Sequence, residues 1–475
     1  MRNPCFYLVI LSFLFGCKPD DKASKLPNII LVLADDQGWG DMAYNGHSII
    51  QTPHFDTMAV QALRFDRFYA AAPVCSPTRG SILTGRHPNR FACFTWGRTL
   101  RPQDITIAEL LKSAGYVTGH FGKWHLGSVR QGSPVNPGKS GFDEWLSAPN
   151  FFDNNPILSR EGMAIQTQGE SSMVTVDAAL EFIQKHEGGD QPYLAVVCFG
   201  SPHLPHEALE LDQQLYAGQS PELQNFYGEI TAMDRAFGKL RTAIQSLTSH
   251  DNTVLWYLSD NGALSEIGAS GGRGHKGKVY EGGLLVPSML EWPARIQQPR
   301  VTPFPANTSD IFPTLAEIVG LRLDENRPMD GISLVRLIDN QMDSRSQAMG
   351  FWHYPAPGVR TPSAEWMAEL LEAQKNGNIT GDSAHLRLDD VLIDTQYSYD
   401  SLPGHAAWLD WPWKLHRIEH QSDSIVWELY NLKEDPLEEE NTVDFHPERV
   451  IDMTVSLEDW QHSVVGSLNG LDYSN

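Results

Sequence analysis

Short apolar runs, each ending abruptly in polar residues, punctuate the first part of the chain. Pro27 opens Asn28-Ile29-Ile30-Leu31-Val32-Leu33-Ala34, which stops at Asp35-Asp36. A second run, Tyr193 to Phe199, stops at Gly200-Ser201-Pro202-His203, and a third, Thr253 to Leu258, stops at Ser259-Asp260-Asn261-Gly262. Continuous apolar runs of this length form strands buried on both faces of a mostly parallel sheet. Helical patterns lie between them, at Thr106 to Ala114 and Val174 to His186, so strands and helices alternate as in an α/β domain. Ligands of open parallel sheets bind beyond the carboxyl ends of the strands. The polar triplets therefore predict a site assembled from distant segments at one sheet edge.

The texture changes after Asp330-Gly331-Ile332-Ser333-Leu334: a stretch rich in Pro, Gly and polar residues runs from Tyr354 to about Gly404. Beyond it, Trp413 to Ile418 and Val426 to Tyr430 read as antiparallel strands around a polar turn. The expectation is a large domain over residues 27–345 and a smaller C-terminal α+β domain over 346–475 that carries an antiparallel sheet and an insertion at about 354–404. The acidic run Glu438-Glu439-Glu440 reads as a solvated surface turn. No internal repeat is visible.

Composition narrows the function. At 475 residues, 41% hydrophobic and 20% charged with 13 Trp, the chain can bury a sizeable core and is too long for a single one. Its net charge, 36 − 59 = −23, repels nucleic acid and anionic membranes. Any anionic substrate then needs a local cluster of cations. The first residues, a charged start followed by an apolar run from Phe6 to Phe15 and then Gly16-Cys17, have the grammar of an export signal over 1–17, with a polar linker at 18–26. Leu14-Phe15-Gly16-Cys17 also resembles the bacterial lipobox, which would leave Cys17 to carry lipid. The expected location is exported: periplasmic, anchored at the outer membrane, or extracellular. With Cys5 and Cys17 in that segment, Cys75, Cys93 and Cys198 remain. An odd count in an exported protein points to chemistry at one of them at least.

The decisive segment is Cys75-Ser76-Pro77-Thr78-Arg79-Gly80-Ser81-Ile82-Leu83-Thr84-Gly85. It resembles the signature of the type I sulfatases of the alkaline phosphatase superfamily, which begins C-x-P-x-R and ends in T-G. Chance would produce C-x-P-x-R with an expectation of about 0.01 in a chain of this composition. The resemblance implies a large mixed, mostly parallel sheet flanked by helices, and oxidation of Cys75 to formylglycine by a maturation enzyme that recognises the motif. One hydroxyl of the aldehyde hydrate would attack sulfur and displace the alcohol. Deprotonating the other would then expel sulfate and regenerate the aldehyde.

Such a nucleophile needs a cation to favour its alkoxide form and to draw charge from the sulfate. Asp35, Asp36, Asp260 and Asn261 offer oxygen donors only, which suits calcium or magnesium and not zinc. Taken alone, an Asp-Asp pair after a strand is more often a helix cap or a loop. The settings of both pairs resemble the family's two metal segments, which implies calcium, with residue 75 itself completing the ligands. Phe121-Gly122-Lys123-Trp124-His125-Leu126-Gly127 is similar to the family's G-K-W-H-x-G. This similarity implies that Lys123 holds the formylglycine and a sulfate oxygen, and that His125 contacts the diol and takes the proton that releases sulfate. Ser201-Pro202-His203-Leu204-Pro205-His206 resembles H-x-P and makes His203 a sulfate contact, leaving His206 as a supporting or pocket residue. His275-Lys276-Gly277-Lys278-Val279-Tyr280-Glu281-Gly282-Gly283 resembles K-G-x-x-Y-E-G-G and assigns leaving-group and sulfate contacts to Lys276. Leu284-Leu285 stand where family members often carry an arginine before V-P. Arg79, Lys123, His125, His203 and Lys276 together supply the cation cluster that the acidic net charge demands.

Three readings follow. The first is hydrolysis of the sulfate ester of a carbohydrate. The second is phosphonate or phosphodiester hydrolysis with the same nucleophile, and the third is non-catalytic glycan binding by a lipoprotein. A phosphoryl-transfer relative would instead show a Ser or Thr nucleophile and two His-rich zinc sites. Substrate choice is expected in the segment from Gly350 to His405, with His353 and His405 on the leaving-group side.

Overall fold

The computed structural model describes residues 25–324, 326–393, 395–420 and 424–473. The export signal, most of the linker, Cys5 and Cys17 lie outside the described residues. The larger sheet is built from β1 (Asn28–Ala34), β2 (Leu63–Tyr69), β3 (Val117–Lys123), β4 (Glu144–Ala148), β5 (Ile157–Arg160), β6 (Met163–Gln166), β7 (Tyr193–Cys198), β8 (Thr253–Ser259), β9 (Leu285–Glu291), β10 (Arg300–Thr302) and β11 (Ala306–Asn307). Its order is β10-β2-β9-β8-β1-β7-β3-β4-β5-β6, with β11 also on β2. The centre, β4-β3-β7-β1-β8, is parallel, while β9, β5 and β6 run antiparallel to their neighbours. The sheet is therefore mixed and mostly parallel, as expected.

Strand β1 explains why a continuous apolar run was needed. Ile29, Leu31 and Leu33 enter one core and Ile30, Val32 and Ala34 the other, because successive side chains of a strand point to opposite faces. Helices cover both faces. On the first lie α1 (Cys75–Thr84) and α2 (Ile107–Ser113), contributing Ile82, Leu83, Ile107 and Leu111. On the second lie α3 (Ser171–His186) and α4 (Pro221–Gln245), contributing Val176, Ile183, Phe237 and Leu240. Register then aligns the strand ends: Leu33 is opposite Cys198 and Ala34 opposite Ser259, so the polar residues that follow β1, β7 and β8 emerge along one edge.

A second, four-stranded antiparallel sheet, β12 (Met349–His353), β13 (His405–Asp410), β14 (Trp413–Glu419) and β15 (Ile425–Asn431), carries α6 (Pro447–Leu468) on one side. The stretch between β12 and β13, read from sequence as irregular, contains α5 (Ser363–Lys375). This helix packs on β5 and β6 and puts Met367 and Leu370 into the core of the large sheet. Of the acidic run, Glu439 and Glu440 are exposed as expected, and Glu438 is the correction. Glu438 is fully buried, where it accepts from Lys414 Nζ (3.0 Å), His416 Nε2 (2.8 Å) and the Glu281 backbone N–H (2.7 Å). A buried lysine and a main-chain donor outweigh the solvation that a charged run normally seeks.

Candidate active site

Cys75 is the first residue of α1, whose ten residues are all buried. Arg79 follows one turn later and so shares its face. The guanidinium donates from Nε to Asp260 Oδ2 (2.8 Å) and from Nη1 to the carbonyl of Lys123 (3.0 Å), while Nη2 pairs ionically with Asp260 Oδ2 at 2.8 Å and lies 3.6 Å from Asp35 Oδ1. Lys123 ends β3, fully buried, and donates to Asp35 Oδ2 at 2.6 Å. Lys276 donates to Asp36 Oδ2 at 2.6 Å and pairs ionically with Oδ1 at the same distance. His125 Nδ1 stands 3.3 Å from Cys75 Sγ. His203 Nε2 is 3.7 Å from Asp36 Oδ2, and its ring stacks on Phe151 at 4.3 Å.

Local backbone geometry holds this arrangement. Asp36 and His125 adopt positive φ, 69° and 53°, conformations that cost a non-glycine residue about 1–2 kcal/mol. Gly122, at φ 98°, passes so close to β7 that a Cβ would lie 1.8 Å from the carbonyl oxygen of Cys198. The glycine before Lys123 is thus required by the strand packing that delivers the lysine.

Carboxylate oxygens of Asp35, Asp36 and Asp260 lie within 4.8 Å of one another, all fully buried. Three cations, Arg79, Lys123 and Lys276, face these three carboxylates. Burial pushes Asp260 up to about 6 against the pull of Arg79. Burial also pushes Asp36 up, but Lys276, with His203 and Lys123, outweighs it and holds the carboxyl well below the usual range. Burial drives His203 down to about 3 and His125 well below its ordinary value, with Lys123 and Arg79 adding to the latter. The Cys75 thiol is pushed up by burial despite Lys123 and Lys276.

Two buried oxygens in the cluster, Asp35 Oδ1 and Asn261 Oδ1, have no hydrogen-bond partner. The Asn261 amide cannot turn to relieve its own, because Nδ2 donates to Asp36 Oδ1 and the Gly262 carbonyl at 3.0 Å. Orphaned buried acceptors are costly, and an all-oxygen set of this kind fits a hard divalent cation. The second acidic cluster, Glu369, Asp382 and His385, is taken up by Arg130, which donates to Glu369 at 3.3 Å and lies 2.8 Å from His385 Nδ1.

Above the cluster opens a cavity of about 700 Å3 floored by Cys75, His125, His203 and Lys276. Its walls correct the sequence-based expectation. Trp96, Asn150, Asp153 and residues 360–365 line it, whereas His353, His405 and His206 do not. His353 and His405 face each other across β12 and β13, and His405 Nε2 lies 2.9 Å from His416 Nδ1, so strand pairing turns them into the C-terminal sheet. His206 Nε2 lies 3.0 Å from the Pro202 carbonyl, with its ring against Phe226. Of the expected pocket insertion, among the described residues only the segment leading into α5 and the first turn of that helix reach the cavity. Its helical signal, apolar residues at 367, 370 and 371, was legible in the sequence but masked by the Pro- and Gly-rich surroundings.

A parallel-centred sheet, a helix that starts at a buried cysteine, a buried carboxylate cluster and a cavity floor carrying Lys276 and two histidines fit a hydrolase of anionic esters. The sulfatase family model matches residues 27–321. N-acetylgalactosamine-6-sulfatase of Canis lupus familiaris is 32% identical over 369 residues, 68% of this chain and 68% of its own. The ulvan-active sulfatase of Formosa agariphila is 30% identical over 392 residues, covering 74% and 76%. Among solved structures, that of Ps i-CgsB superposes with a TM-score of 0.75 at 23% identity, covering 94% of this chain and 98% of its own. The chain belongs to the sulfatase family of the alkaline phosphatase superfamily and is a sulfatase.

Proposed function

We propose that the protein hydrolyses a sulfate ester of a carbohydrate, using a formylglycine made from Cys75 and one calcium ion held by Asp35, Asp36, Asp260 and Asn261 together with residue 75. The observation that carries this reading is the pair of orphaned oxygens, Asp35 Oδ1 and Asn261 Oδ1, in the carboxylate cluster beside the Cys75 helix. The relatives' names supply the sugar sulfate. Charge also supports an added cation: the three carboxylates are already balanced by Arg79, Lys123 and Lys276, so a divalent ion would match one charge on a bound sulfate ester and one on the nucleophile. When bound, calcium would favour the alkoxide form of residue 75 and draw charge from the sulfate oxygens.

The remaining residues act around these two groups. Arg79 fixes the Asp260 carboxylate, and Lys123 fixes that of Asp35. His125, with Nδ1 3.3 Å from the side chain of residue 75 and its pKa lowered by burial, would take the proton whose loss releases sulfate. Lys276 and His203 reach the cavity floor, Lys276 to meet the leaving-group oxygen and sulfate, His203 to meet sulfate. Cys75 is only 1% exposed, so the maturation enzyme would act on the chain before α1 is buried. The export signal, lipid on Cys17 and the location outside the cytoplasm remain part of this reading. Among the described residues no helix is long and apolar enough to cross a membrane.

Mass analysis of the peptide spanning Cys75 tests the nucleophile, with loss of the thiol and gain of an aldehyde hydrate expected. Parallel assays with aryl sulfate and aryl phosphonate esters test the reaction. Unmodified Cys75 in active protein, or a preference for phosphonate, overturns the reading. Exhaustive removal of calcium by a chelator is expected to lower turnover at least tenfold. It should also lower the melting temperature by several degrees, because a ligand present at about 100 times its Kd stabilises the native state by about 2.7 kcal/mol. Both should return with calcium and not with potassium.

A further inference from the structure

The cavity floor accounts for one sulfate, and about 700 Å3 leaves room for the group to which that sulfate is attached. The walls have a different chemistry from the floor. Trp96 is 42% exposed yet immobilised: its carbonyl accepts from the Val359 N–H at 3.0 Å, and Gly358 lies so close to the indole that a Cβ there would come within 2.1 Å of the ring. A fixed aromatic face open to a cavity is a platform for the apolar C–H face of a pyranose. Opposite chemistry comes from Asn150. It is 8% exposed, its Nδ2 donates to the Thr361 carbonyl at 3.2 Å, and its buried Oδ1 has no partner. The amide is thereby oriented, with an acceptor left over that a ligand hydroxyl or N–H can satisfy.

Charge on the walls is acidic on balance. Asp153 is half-buried in the lining and makes no ion pair among the described residues. Apart from Lys276 on the floor, the only Lys or Arg among the described lining residues is Arg360. Its side chain is 81% exposed and lies 3.6 Å from Glu365, so the one guanidinium on the rim is already matched by a carboxylate. Two carboxylates and one guanidinium would repel a second anionic group on the sugar.

Resting on the sulfatase reading above, we propose that this cavity selects a neutral, hydroxyl-bearing hexose carrying a single sulfate, stacked on Trp96 and hydrogen-bonded through Asn150 Oδ1 and Asp153, and rejects sulfated uronic acids and disulfated sugars. Asn150 takes a hydroxyl or amide N–H of the sugar, and its pairing with Thr361 ties the residue 360–365 segment to the same ligand. The sugar contacts thus come from two segments that meet only in the folded protein, one at Trp96 and one at Asn150 and Asp153, with residues 360–365 held beside them through Thr361.

The test is a set of kcat/KM values on matured, calcium-loaded enzyme with aryl sulfate, monosulfated galactose or N-acetylhexosamine, a sulfated hexuronic acid and a disulfated hexosamine. A preference of at least tenfold for the neutral monosulfated sugars is expected. Trp96→Ala and Asn150→Ala should each lower kcat/KM on the sugar at least tenfold more than on aryl sulfate, mainly through KM. The inference is overturned if the uronic acid or disulfated sugar is preferred and Arg360→Ala removes that preference, or if both variants affect sugar and aryl sulfate equally. Absence of hydrolysis of every sulfate ester, aryl sulfate included, would instead remove the catalytic reading on which the inference rests.

Discussion

Replacing Cys75 by alanine is expected to lower turnover of aryl sulfate by on the order of 10^4-fold or more, with little change in folding. The side chain sits at the start of a fully buried helix, 3.3 Å from His125 Nδ1 and on the floor of the cavity, where no other candidate nucleophile faces the carboxylate cluster among the described lining residues. Deleting one buried sulfur costs about 1 kcal/mol, so the circular dichroism spectrum should match the parent's and the melting temperature should fall by a few degrees at most. Cys75→Ser makes a sharper comparison. One hydroxyl can attack sulfur and release the alcohol, but the product is an ordinary sulfate ester with no second hydroxyl on the same carbon to expel sulfate. The expected result is release of at most one alcohol per protein and a mass increment of one sulfate group on residue 75. Sustained turnover by the alanine variant would mean that residue 75 is not the nucleophile.

Legibility of the site in the sequence depended on how each part is encoded. Asp35, Asp36, Asp260 and Asn261 follow apolar runs whose pattern by itself announces buried parallel strands, so their shared edge could be anticipated from β1 and β8 alone. Lys123 is different. It ends β3, Val-Thr-Gly-His-Phe-Gly-Lys, in which Thr118, Gly119, His120 and Gly122 break up any apolar run, and Gly119 and Gly122 are needed where neighbouring groups approach closely. Only its motif marked it. The cavity walls were not legible: Trp96, Asn150 and Thr361 become neighbours through a hydrogen bond spanning 211 residues and a ring packed on a distant glycine. His353 and His405 failed as wall residues for the same reason, since aromatic and polar composition cannot tell a strand pair from a binding loop.

Glu438 shows how a tertiary partner inverts a local signal, and it leads to the largest expected loss of stability. Lys414 is fully buried on β14 and donates to Glu281 Oε1 at 2.9 Å, with Glu438 Oε1 at 3.0 Å. Glu281 in turn accepts from Tyr69 Oη at 2.9 Å, and its own N–H is bound by Glu438 at 2.7 Å. The C-terminal sheet is thus clamped by charge to the end of the loop that carries Lys276. At the other end of that loop, Arg273 donates to Tyr430 Oη at 2.9 Å and to the carbonyl of Glu438 at 3.3 Å. Gly283 lets the loop close, since a Cβ there would meet the Lys278 carbonyl at 2.0 Å. Lys414→Met keeps the length of the side chain but strands two buried carboxylates, a change that costs about 3–5 kcal/mol. A chain of this size should show it as a marked fall in melting temperature and denaturation midpoint. Turnover should fall with it, because the freed carboxylates displace the segment that aims Lys276 at the floor. Restoring balance should recover stability: Lys414→Met combined with Glu281→Gln and Glu438→Gln removes the unpaired charges, and a triple variant no more stable than Lys414→Met alone would show that the clamp is not electrostatic.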